Sequence, residues 1–456
     1  MVGAVRRNAL ARPAESPGAP GIAGFGADLL VLVAVAISAA CSYSTTGRFF
    51  NQIAIALGAL TLVAGLRQGW QVPVRRATLL VSVVISVAVQ LYKPPIGNVD
   101  RALLFPGVLA LTAAATVGLG VVVLGGRRRW TVPALWTVLG ALAVAEFAIV
   151  ACSGRPAIDV WQIFQQASAG LFHGVNAYAT SYTGIPAGQT ADCFNYLPAT
   201  LLSSWPGWAA LHDVRYSEVA VLLLGWGVLA GTLTRRAPDA EHRLRALTLV
   251  ALAVSLVGTL RVGQQAWNES LLLGFLLLGT SALATGRTLW AVLLVGLALA
   301  TKQHIALLLP VLACWPRFGW RRAAGSAGVA AAISAPWLIW NFARFKGCTV
   351  DFFVHGVARF DSISLWHFVP SPIAAGVTVL AVLAGYLLVY RWVPRTTGGL
   401  LIGSAVVLYA FDLFNKQSFE NQWWFVCQLL LCGLAFAAAG GTEPDHVTSA
   451  EAAALR

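Results

Sequence analysis

The segment DVWQIFQQASAGLFHGVNAYATSYTGIPAGQTADCFNYLP, residues 159–198, interrupts an otherwise apolar chain with polar and aromatic residues. Its first residue, Asp159, opens an amphipathic stretch, which is followed by Gly174-Val175-Asn176-Ala177-Tyr178 and then by Asn195-Tyr196-Leu197-Pro198. A carboxylate held at the edge of a hydrocarbon layer costs free energy, so such residues usually have a function. We therefore expect Asp159 to be the centre of the functional site, and catalysis is the leading hypothesis.

The composition indicates a membrane protein. Of the 456 residues, 58% are hydrophobic and 11% are charged, whereas soluble domains contain about 25% charged residues. About fourteen apolar stretches approach the roughly 20 residues that a membrane-spanning helix needs. The sequence thus predicts an all-α, polytopic membrane protein with about 12–14 transmembrane helices.

The basic residues indicate a topology. The formal net charge of +13 is also typical of proteins that bind nucleic acid. If the N-terminus is cytoplasmic, however, most arginines fall in cytoplasmic loops, as the positive-inside rule requires. No nucleic-acid partner is therefore expected. The same topology puts the Asp159 segment outside, which predicts a multi-pass protein of the cell membrane with an active site on the extracytoplasmic side.

The sequence divides into four parts. Residues 1–24, rich in Pro, Gly, Ala and Arg, are expected to be a disordered cytoplasmic tail, and residues 441–456 a second cytoplasmic tail. Residues 25–126 contain about four spans with few ionisable residues and predict a structural or partner-binding extension. The catalytic core is expected to cover residues 127–440, and its first arginines fix the start of the fifth span inside.

Two interpretations of the Asp159 segment are open. Trp161, Phe164 and Ser168 fall on one helical stripe, while Asp159 and Gln162 fall on another. This pattern predicts an interfacial helix in the outer loop after the fifth span, with its apolar face down and its carboxylate exposed. Either the carboxylate serves a site, or the helix is an anchor whose Asp159 caps its own N-terminus.

Residues 288–315 predict a broken helix. A single helix would bury Lys302 at mid-membrane and put Arg287 and Arg317 on opposite sides. Two short helices interrupted near Lys302 keep both arginines inside, and broken helices are tolerated only beside a protein-buried or aqueous cavity. Lys302 is therefore a site candidate, and the alternative is a lysine that extends to the interface.

The seven cysteines follow no metal-ligand spacing. Cys152, Cys193 and Cys348 lie in predicted outer loops, where an oxidising compartment favours a disulfide between two of them. The alternative is that all three remain thiols.

Carboxylates and cations collect on the predicted outer face. Carboxylates move protons and cations hold an anion, so the combination suits transfer from a phosphate-linked donor. The apolar surroundings suit a donor whose phosphate carries a long lipid. The members of the set are Asp159, Arg261, Gln264, Asn268, Glu269, Lys302, His304, Arg359, Lys416 and Glu420.

Several short motifs occur in a fixed order within residues 130–440. They are Asp159, Gly174-x-Asn176-x-Tyr178, Tyr196-x-Pro198, Gly263-Gln264 with Asn268, Thr301-Lys302, and Asn415-Lys416-Gln417 with Phe419 and Asn421. Their order resembles the GT-C superfamily of membrane glycosyltransferases, and most closely the bacterial polyprenyl-phosphate-mannose-dependent mannosyltransferases of glycosyltransferase family 87. The chain departs from the family in its four extra spans before Asp159, and in Ala177 and Leu197 where Pro is common.

The resemblance implies an inverting glycosyltransferase that moves a sugar, mannose foremost, from a polyprenyl-phosphate donor to a lipid- or glycan-linked acceptor. It implies that Asp159 is the general base and that Lys302, Arg261, Arg359 and Lys416 bind the donor phosphate. The residues expected to contact substrate are Gln162, Asn176, Tyr178, Tyr196, Gln264, Asn268, Glu269, His304 and Glu420. No metal or other cofactor is expected, because cations can stabilise the leaving phosphate and the chain has no Asp-x-Asp pair.

Two other functions stay open at this point. A transporter or flippase for a lipid-linked sugar would bind its cargo near the bilayer midplane between repeated halves, but the sequence contains no convincing internal repeat. A non-catalytic subunit or scaffold would use the Asp159 helix only to anchor a loop. The sugar (mannose, arabinose, glucose or galactose), the acceptor and the oligomeric state are not determined by the sequence.

Overall fold

The structure, a computed structural model, describes residues 24–42, 48–71, 73–92, 104–125, 128–156, 158–185, 193–356, 359 and 361–440. Within these ranges the chain is helical and contains no β-strand, which confirms the predicted all-α class. The expected tails, residues 1–24 and 441–456, lie outside the described residues except for Gly24.

The helices are numbered in chain order. Those of the N-terminal segment are α1 (Gly26–Cys41), α2 (Arg48–Gln68), α3 (Arg76–Tyr92) and α4 (Phe105–Gly125). The next group is α5 (Arg128–Cys152), α6 (Asp159–Phe172), α7 (Pro198–Leu211), α8 (Arg215–Arg236), α9 (Ala240–Val254), α10 (Thr259–Gln264), α11 (Glu269–Ala284) and α12 (Thr288–Leu299). The last group is α13 (Leu309–Cys314), α14 (Gly319–Trp340), α15 (Phe342–Lys346), α16 (Phe352–His355), α17 (Ser371–Trp392), α18 (Thr397–Phe414) and α19 (Glu420–Ala438).

Among the described residues, eight helices are long and apolar enough to cross a membrane, which supports a polytopic membrane protein. They are α2, α4, α5, α8, α14, α17, α18 and α19. Five shorter apolar segments accompany them, namely α1, α3, α11, α12 and Gln303–Cys314. The predicted number of about 12–14 transmembrane helices stays a prediction, because only eight of the described helices have the length of a full span. In the central region α11 and α12 have only 16 and 12 residues, which at about 1.5 Å per residue fall short of a hydrocarbon core about 30 Å thick.

The predicted break near Lys302 is confirmed. Helix α12 ends at Leu299, and Lys302 is fully extended, with φ −149° and ψ 137°. A 3-10 helix, Gln303–Leu308, then leads into α13, whose second residue is Pro310. The interruption therefore replaces one long span with two short pieces.

The first turn of α7 satisfies the backbone groups that the break exposes. The carbonyl of Ala300 accepts a hydrogen bond from the N–H of Ala199 at 2.9 Å, and the carbonyl of Thr301 accepts one from the N–H of Leu197 at 3.2 Å. The Thr200 hydroxyl donates to the same Thr301 carbonyl at 2.8 Å. Because helix ends leave carbonyls without intrahelical partners, this docking lets a broken helix exist inside an apolar bundle.

The segment 25–126 shares one hydrophobic core with the rest of the chain. Helix α1 packs against both α2 and α19. The Ser38 hydroxyl of α1 donates to the carbonyl of Val257, and the Tyr409 hydroxyl of α18 donates to the carbonyl of Ile55 in α2 at 2.6 Å. The N-terminal spans are thus packed into the bundle.

Helices α11 and α19 form the centre of the bundle. All but one residue of α11 and every residue of the Glu420–Phe436 part of α19 are buried. Burial on all sides means that the rest of the bundle encloses both helices.

Helix α11 packs closely against α8 through glycine. A methyl group built on Gly274 of α11 would lie 2.6 Å from the backbone oxygen of Val221 in α8. Small residues allow this kind of backbone approach between membrane helices.

We predict that Gly274→Ala destabilises the protein by about 1–3 kcal/mol, because the new methyl group overlaps backbone that cannot move independently. Gly227→Ala in α8 is the matched control, since a methyl group there meets open space. The measurement is thermal unfolding of the purified protein in detergent, in which only Gly274→Ala lowers the midpoint. Equal midpoints for the two variants would disprove the close α8–α11 contact.

Candidate functional site

A cavity of about 1210 Å³ lies between α6, the Gln303–Leu308 helix, α13 and the loops that precede α17 and α19. It brings together Asp159 and the four cations expected to bind a phosphate, Arg261, Lys302, Arg359 and Lys416. Of the residues expected to contact substrate, those that line it are Tyr196, His304 and Glu420. Groups that are up to 261 residues apart in the chain, from Asp159 to Glu420, therefore face one volume.

Asp159 is the first residue of α6. The extended residue Ile158 precedes it as the N-cap, so Asp159 is not the cap of its own helix, although its Oδ1 accepts a hydrogen bond from the N–H of Val160 at 2.9 Å. Burial raises the pKa of the Asp159 carboxyl above its ordinary value, while the Val160 N–H and the Arg359 guanidinium oppose this shift only partly. A carboxylate with a raised pKa is better suited to accept a proton near neutral pH.

The amphipathic pattern of α6 agrees with the structure. Trp161, Phe164 and Ser168, which share the predicted stripe, are buried. The half-buried Asp159 faces the cavity rather than the outside of the protein. The carboxylate is therefore less exposed than a helix lying freely in an interface would make it.

An ion pair that the sequence analysis missed fixes α6 to the bundle. Arg215, only 3% exposed, binds the Asp213 carboxylate at 2.6 Å and donates to the backbone oxygens of Gln264 and Ser153 at 3.1 and 3.2 Å. The indole N–H of Trp161 donates to the same Asp213 carboxylate at 3.4 Å. The only sequence signal is an Asp-x-Arg pair directly before an apolar helix.

Lys302 is held at the break by a buried carboxylate. Its Nζ lies 2.5 Å from Oε1 of Glu269, whose side chain is fully buried. It also lies 5.8 Å from the centre of the Tyr196 ring. Asp412 of α18, buried and in electrostatic contact with Lys302 and Glu269, completes a cluster that sequence reasoning did not include in the site.

The two arginines of the cavity each bind one carboxylate. Arg261 contacts Glu420 at 2.8 Å, and Arg359 binds Asp361 through two hydrogen bonds of 3.0 and 2.7 Å. A carboxylate takes at most a few of the five N–H donors of a guanidinium, so neither ion pair uses all the donors of its arginine.

Lys416 is held by backbone rather than by a carboxylate. Its Nζ donates to the carbonyls of Val354 and Gly356 at 3.2 and 2.5 Å. Partial burial lowers the pKa of its ammonium group, since an apolar environment disfavours the charged form. An anion in the cavity would act in the opposite direction.

One wall of the cavity is apolar. The side chains that form it come from α13, α16, α17, α18 and the Gln303–Leu308 helix, and they are Ala306, Leu307, Pro310, Phe352, Phe353, Val354, Tyr386 and Phe411. His304 stacks on Phe411, with ring centres 6.1 Å apart and planes within 4°. The cavity is thus lined by both charged and apolar side chains.

Six residues expected to contact substrate are not part of the cavity wall. They are Gln162, Asn176, Tyr178, Gln264, Asn268 and Glu269. The Asn176 side chain accepts a hydrogen bond from the N–H of Tyr178 at 2.9 Å, and the Tyr178 hydroxyl donates to the backbone of Tyr196 at 2.8 Å. Asn176 therefore positions Tyr178, which in turn holds the backbone of Tyr196.

The remaining members of that set also bind protein groups. The Gln264 amide donates to the Ser153 hydroxyl at 2.9 Å, and the Asn268 amide donates to the Thr200 hydroxyl at 3.4 Å. Gln162 is half-buried on α6, outside the cavity. The motif residues of the chain thus mix cavity groups with groups that hold the loops in place.

Several amide side chains, among them those of Gln303 and Asn195, line the cavity although the sequence analysis gave them no role there. The other members are Gln265, Asn415, Gln417, Asn421 and Gln422. They bring hydrogen-bond donors and acceptors close to the charged groups. Only their position beside the motifs could have indicated them. Within the ranges that the structure describes, no three His, Cys, Asp or Glu side chains converge as metal ligands.

The sequence matches no protein-family model, and no curated protein is significantly similar to it.

We predict that Glu269→Leu destabilises the protein by about 3–5 kcal/mol, because it leaves the Lys302 charge buried without its partner. The double variant Glu269→Leu/Lys302→Met should recover most of this loss, since it removes both charges. Denaturant titration of the purified variants in detergent measures the coupling. A double variant as unstable as Glu269→Leu alone would show that the pair is not coupled.

Proposed function

We propose that this protein is an inverting glycosyltransferase that moves a sugar from a polyprenyl phosphate to an acceptor hydroxyl on a glycolipid or glycan. The observation that carries the proposal is the meeting of Asp159 with four cationic side chains in one cavity that also has an apolar wall. Mannose is the first candidate sugar, because the motif order resembles family 87. The same resemblance and the arginine distribution support a cell-membrane enzyme whose site faces the extracytoplasmic side.

Asp159 would act as the general base. It takes the proton of the acceptor hydroxyl while the hydroxyl oxygen forms a bond to the anomeric carbon. The bond from that carbon to the phosphate oxygen breaks on the opposite face, and the electron pair leaves with polyprenyl phosphate, so the anomeric configuration inverts. The raised pKa of Asp159 supports this role, because it brings the base closer to the pH at which the enzyme works.

The cations would stabilise the leaving phosphate. Positive groups fixed where negative charge develops contribute more than mobile ions, because they need no reorganisation during the reaction. Arg261 and Arg359 suit two phosphate oxygens through bidentate contacts, and Lys302 and Lys416 add point charges. The ion pairs with Glu420, Glu269 and Asp361 hold three of these groups in place.

The apolar wall supports a lipid-borne donor. Leu307, Pro310, Phe352 and Phe411 give the cavity an apolar lining, and burial of isoprenoid carbon against it would contribute about 25 cal/mol for each Å² removed from water. A sugar nucleotide would gain nothing from such a surface. Membrane lipid is thus the natural source of the donor.

We predict that Asp159→Asn lowers sugar transfer by a factor of about 10²–10⁴, because a neutral amide cannot accept the acceptor proton. Purified protein is incubated with polyprenyl phosphates carrying mannose, glucose, galactose or arabinose and with glycolipid acceptors, and the products are identified by mass. The matched control is Asp239→Asn, which keeps the N-cap of α9 and should leave the rate unchanged.

Two outcomes would count against this proposal. An Asp159→Asn rate close to that of the unchanged protein removes Asp159 from the base role. Movement of a lipid-linked sugar across proteoliposomes, with no new glycosidic bond from any donor, favours the transporter or flippase instead.

We predict that kcat/KM falls on the acid side of its pH profile at a pH above the ordinary aspartate range. The base must be ionised, and burial raises its pKa, so activity is lost as the pH falls through that raised value. Because Arg359 lowers the pKa of Asp159, Arg359→Gln should move this acid limb to higher pH. Lys346 pairs with Asp351 instead, so Lys346→Gln, the control, should leave the limb where it is. An acid limb that persists in Asp159→Asn would assign it to another group.

A further inference from the structure

Two cysteines from distant parts of the chain lie side by side next to the cavity wall. Cys193 is two residues before Asn195, which lines the cavity, and Cys348 lies in a π-helix, Gly347–Asp351, that leads into Phe352 of the same wall. The Cys348 thiol is hydrogen-bonded to the Cys193 side chain.

Independent contacts hold the two backbone segments together at this point. The amide of Gln303 donates to the carbonyls of both Asn195 and Thr349, at 3.0 and 3.2 Å. One side chain thus bridges a residue two positions after Cys193 and the residue directly after Cys348. This clamp belongs to the structure around the break and does not depend on the sulfur atoms.

Aromatic packing around Tyr178 also holds the segments of Cys193 and Cys348 together. The ring of Tyr178 lies 5.4 Å from that of Phe194 and 4.8 Å from that of Phe345, centre to centre. The Cys348 thiol also donates to the backbone oxygen of Tyr178 at 3.8 Å. These aromatic contacts therefore hold the segment of Cys193 and the segment of Cys348 next to each other.

We propose that Cys193 and Cys348 form a disulfide in the mature protein, which covalently joins the loop before α7 to the π-helix before α16. A disulfide requires Cβ atoms about 3.5–4.5 Å apart, and the hydrogen bond between the two side chains, together with the Gln303 bridge between their backbone segments, favours this approach. Cys152, the third candidate from the sequence, is not the partner we propose, because its thiol lies at the end of α5 and donates to the carbonyl of Ile149 at 3.5 Å, whereas the side chains of Cys193 and Cys348 are hydrogen-bonded to each other. The inference rests on the outward orientation proposed above but not on sugar transfer.

The oxidation needs a two-electron acceptor, and we assign this role to a protein or small-molecule disulfide of the oxidising compartment. The half-exposed Cys193 attacks the acceptor as a thiolate and forms a mixed disulfide, which releases one thiol. Cys348, which is buried and whose pKa is raised by the contact with Cys193 and by burial, then loses its proton and attacks the Cys193 sulfur, which releases the second thiol. Two thiols become one disulfide, and the acceptor disulfide becomes two thiols.

The disulfide would connect two segments that both line the cavity. Asn195 and Tyr196 stand on one of the joined segments, and Phe352 and Phe353 stand on the other. A covalent link between them restricts the opening of this side of the cavity. It also lowers the conformational entropy of the unfolded chain, which is the main way in which disulfides stabilise proteins.

The test is peptide mapping of the full-length protein. Membranes are collected in N-ethylmaleimide, which blocks all thiols, and the protein is digested without reductant and analysed by mass. We expect a linked pair of peptides containing Cys193 and Cys348, lighter by two hydrogens than the two thiol peptides together. Incubation with oxidised glutathione before blocking should convert any reduced remainder. The pair should disappear in Cys193→Ser and in Cys348→Ser but persist in Cys314→Ser, which changes a cysteine remote from the pair.

A second measurement protects the test against misfolding of a variant. Dithiothreitol should lower the thermal midpoint of the unchanged protein and of Cys314→Ser, but not that of Cys193→Ser. Maleimide on both Cys193 and Cys348 after glutathione treatment would overturn the proposal. Labelling of Cys193 in intact cells by a membrane-impermeant maleimide then shows which premise failed. Labelling from outside means that the pair does not oxidise although the orientation holds, and labelling only after cell rupture means that the proposed orientation, and with it the extracytoplasmic active site, is wrong.

Discussion

The structure depends on how the backbone groups at the interrupted helix near Lys302 are satisfied. The carbonyls of Ala300 and Thr301 have lost their intrahelical donors, and in an apolar bundle each unpaired polar group costs about 1–3 kcal/mol. The first turn of α7 supplies the donors through Leu197, Ala199 and Thr200. The Pro198 between them has no N–H and begins the helix without leaving a donor unpaired. As a result, Tyr196, at the entry to α7, and Lys302, at the break, are held beside each other.

The same arrangement explains how so many charges can share an apolar interior. Lys302, Arg261 and Arg359 are each paired with a carboxylate, and two of these carboxylates, those of Glu269 and Glu420, are buried. Buried pairs contribute little net stability, because desolvation offsets much of their attraction. Their value lies in position, since a group held by a partner does not have to be reoriented when an anion arrives.

Sequence reasoning reached the parts of the site that have a local signature. The helix after Asp159 follows from its periodicity, and the break at Lys302 follows from the arginines on either side of a span. The same reasoning could not find Arg215 with Asp213, or Asp412, because their importance comes from contacts across the bundle that leave no local pattern. It also assigned Asn176, Tyr178, Gln264 and Asn268 to substrate contact, whereas their hydrogen bonds go to neighbouring protein groups. A motif marks that a polar residue matters, but not whether it faces a ligand or a loop.

The packing of α1 against α19 has a consequence for how the chain is made. Most of α1 is buried. Part of the surface that buries it belongs to α19, which begins about 380 residues later. At ribosomal rates of about 5–20 residues per second, α1 waits roughly 20–80 s for that helix to be synthesised. During that interval the contacts of α1 with α2 and α3 are already possible, whereas its contact with α19 is not. The surroundings of α1 are therefore complete only after α19 has been synthesised.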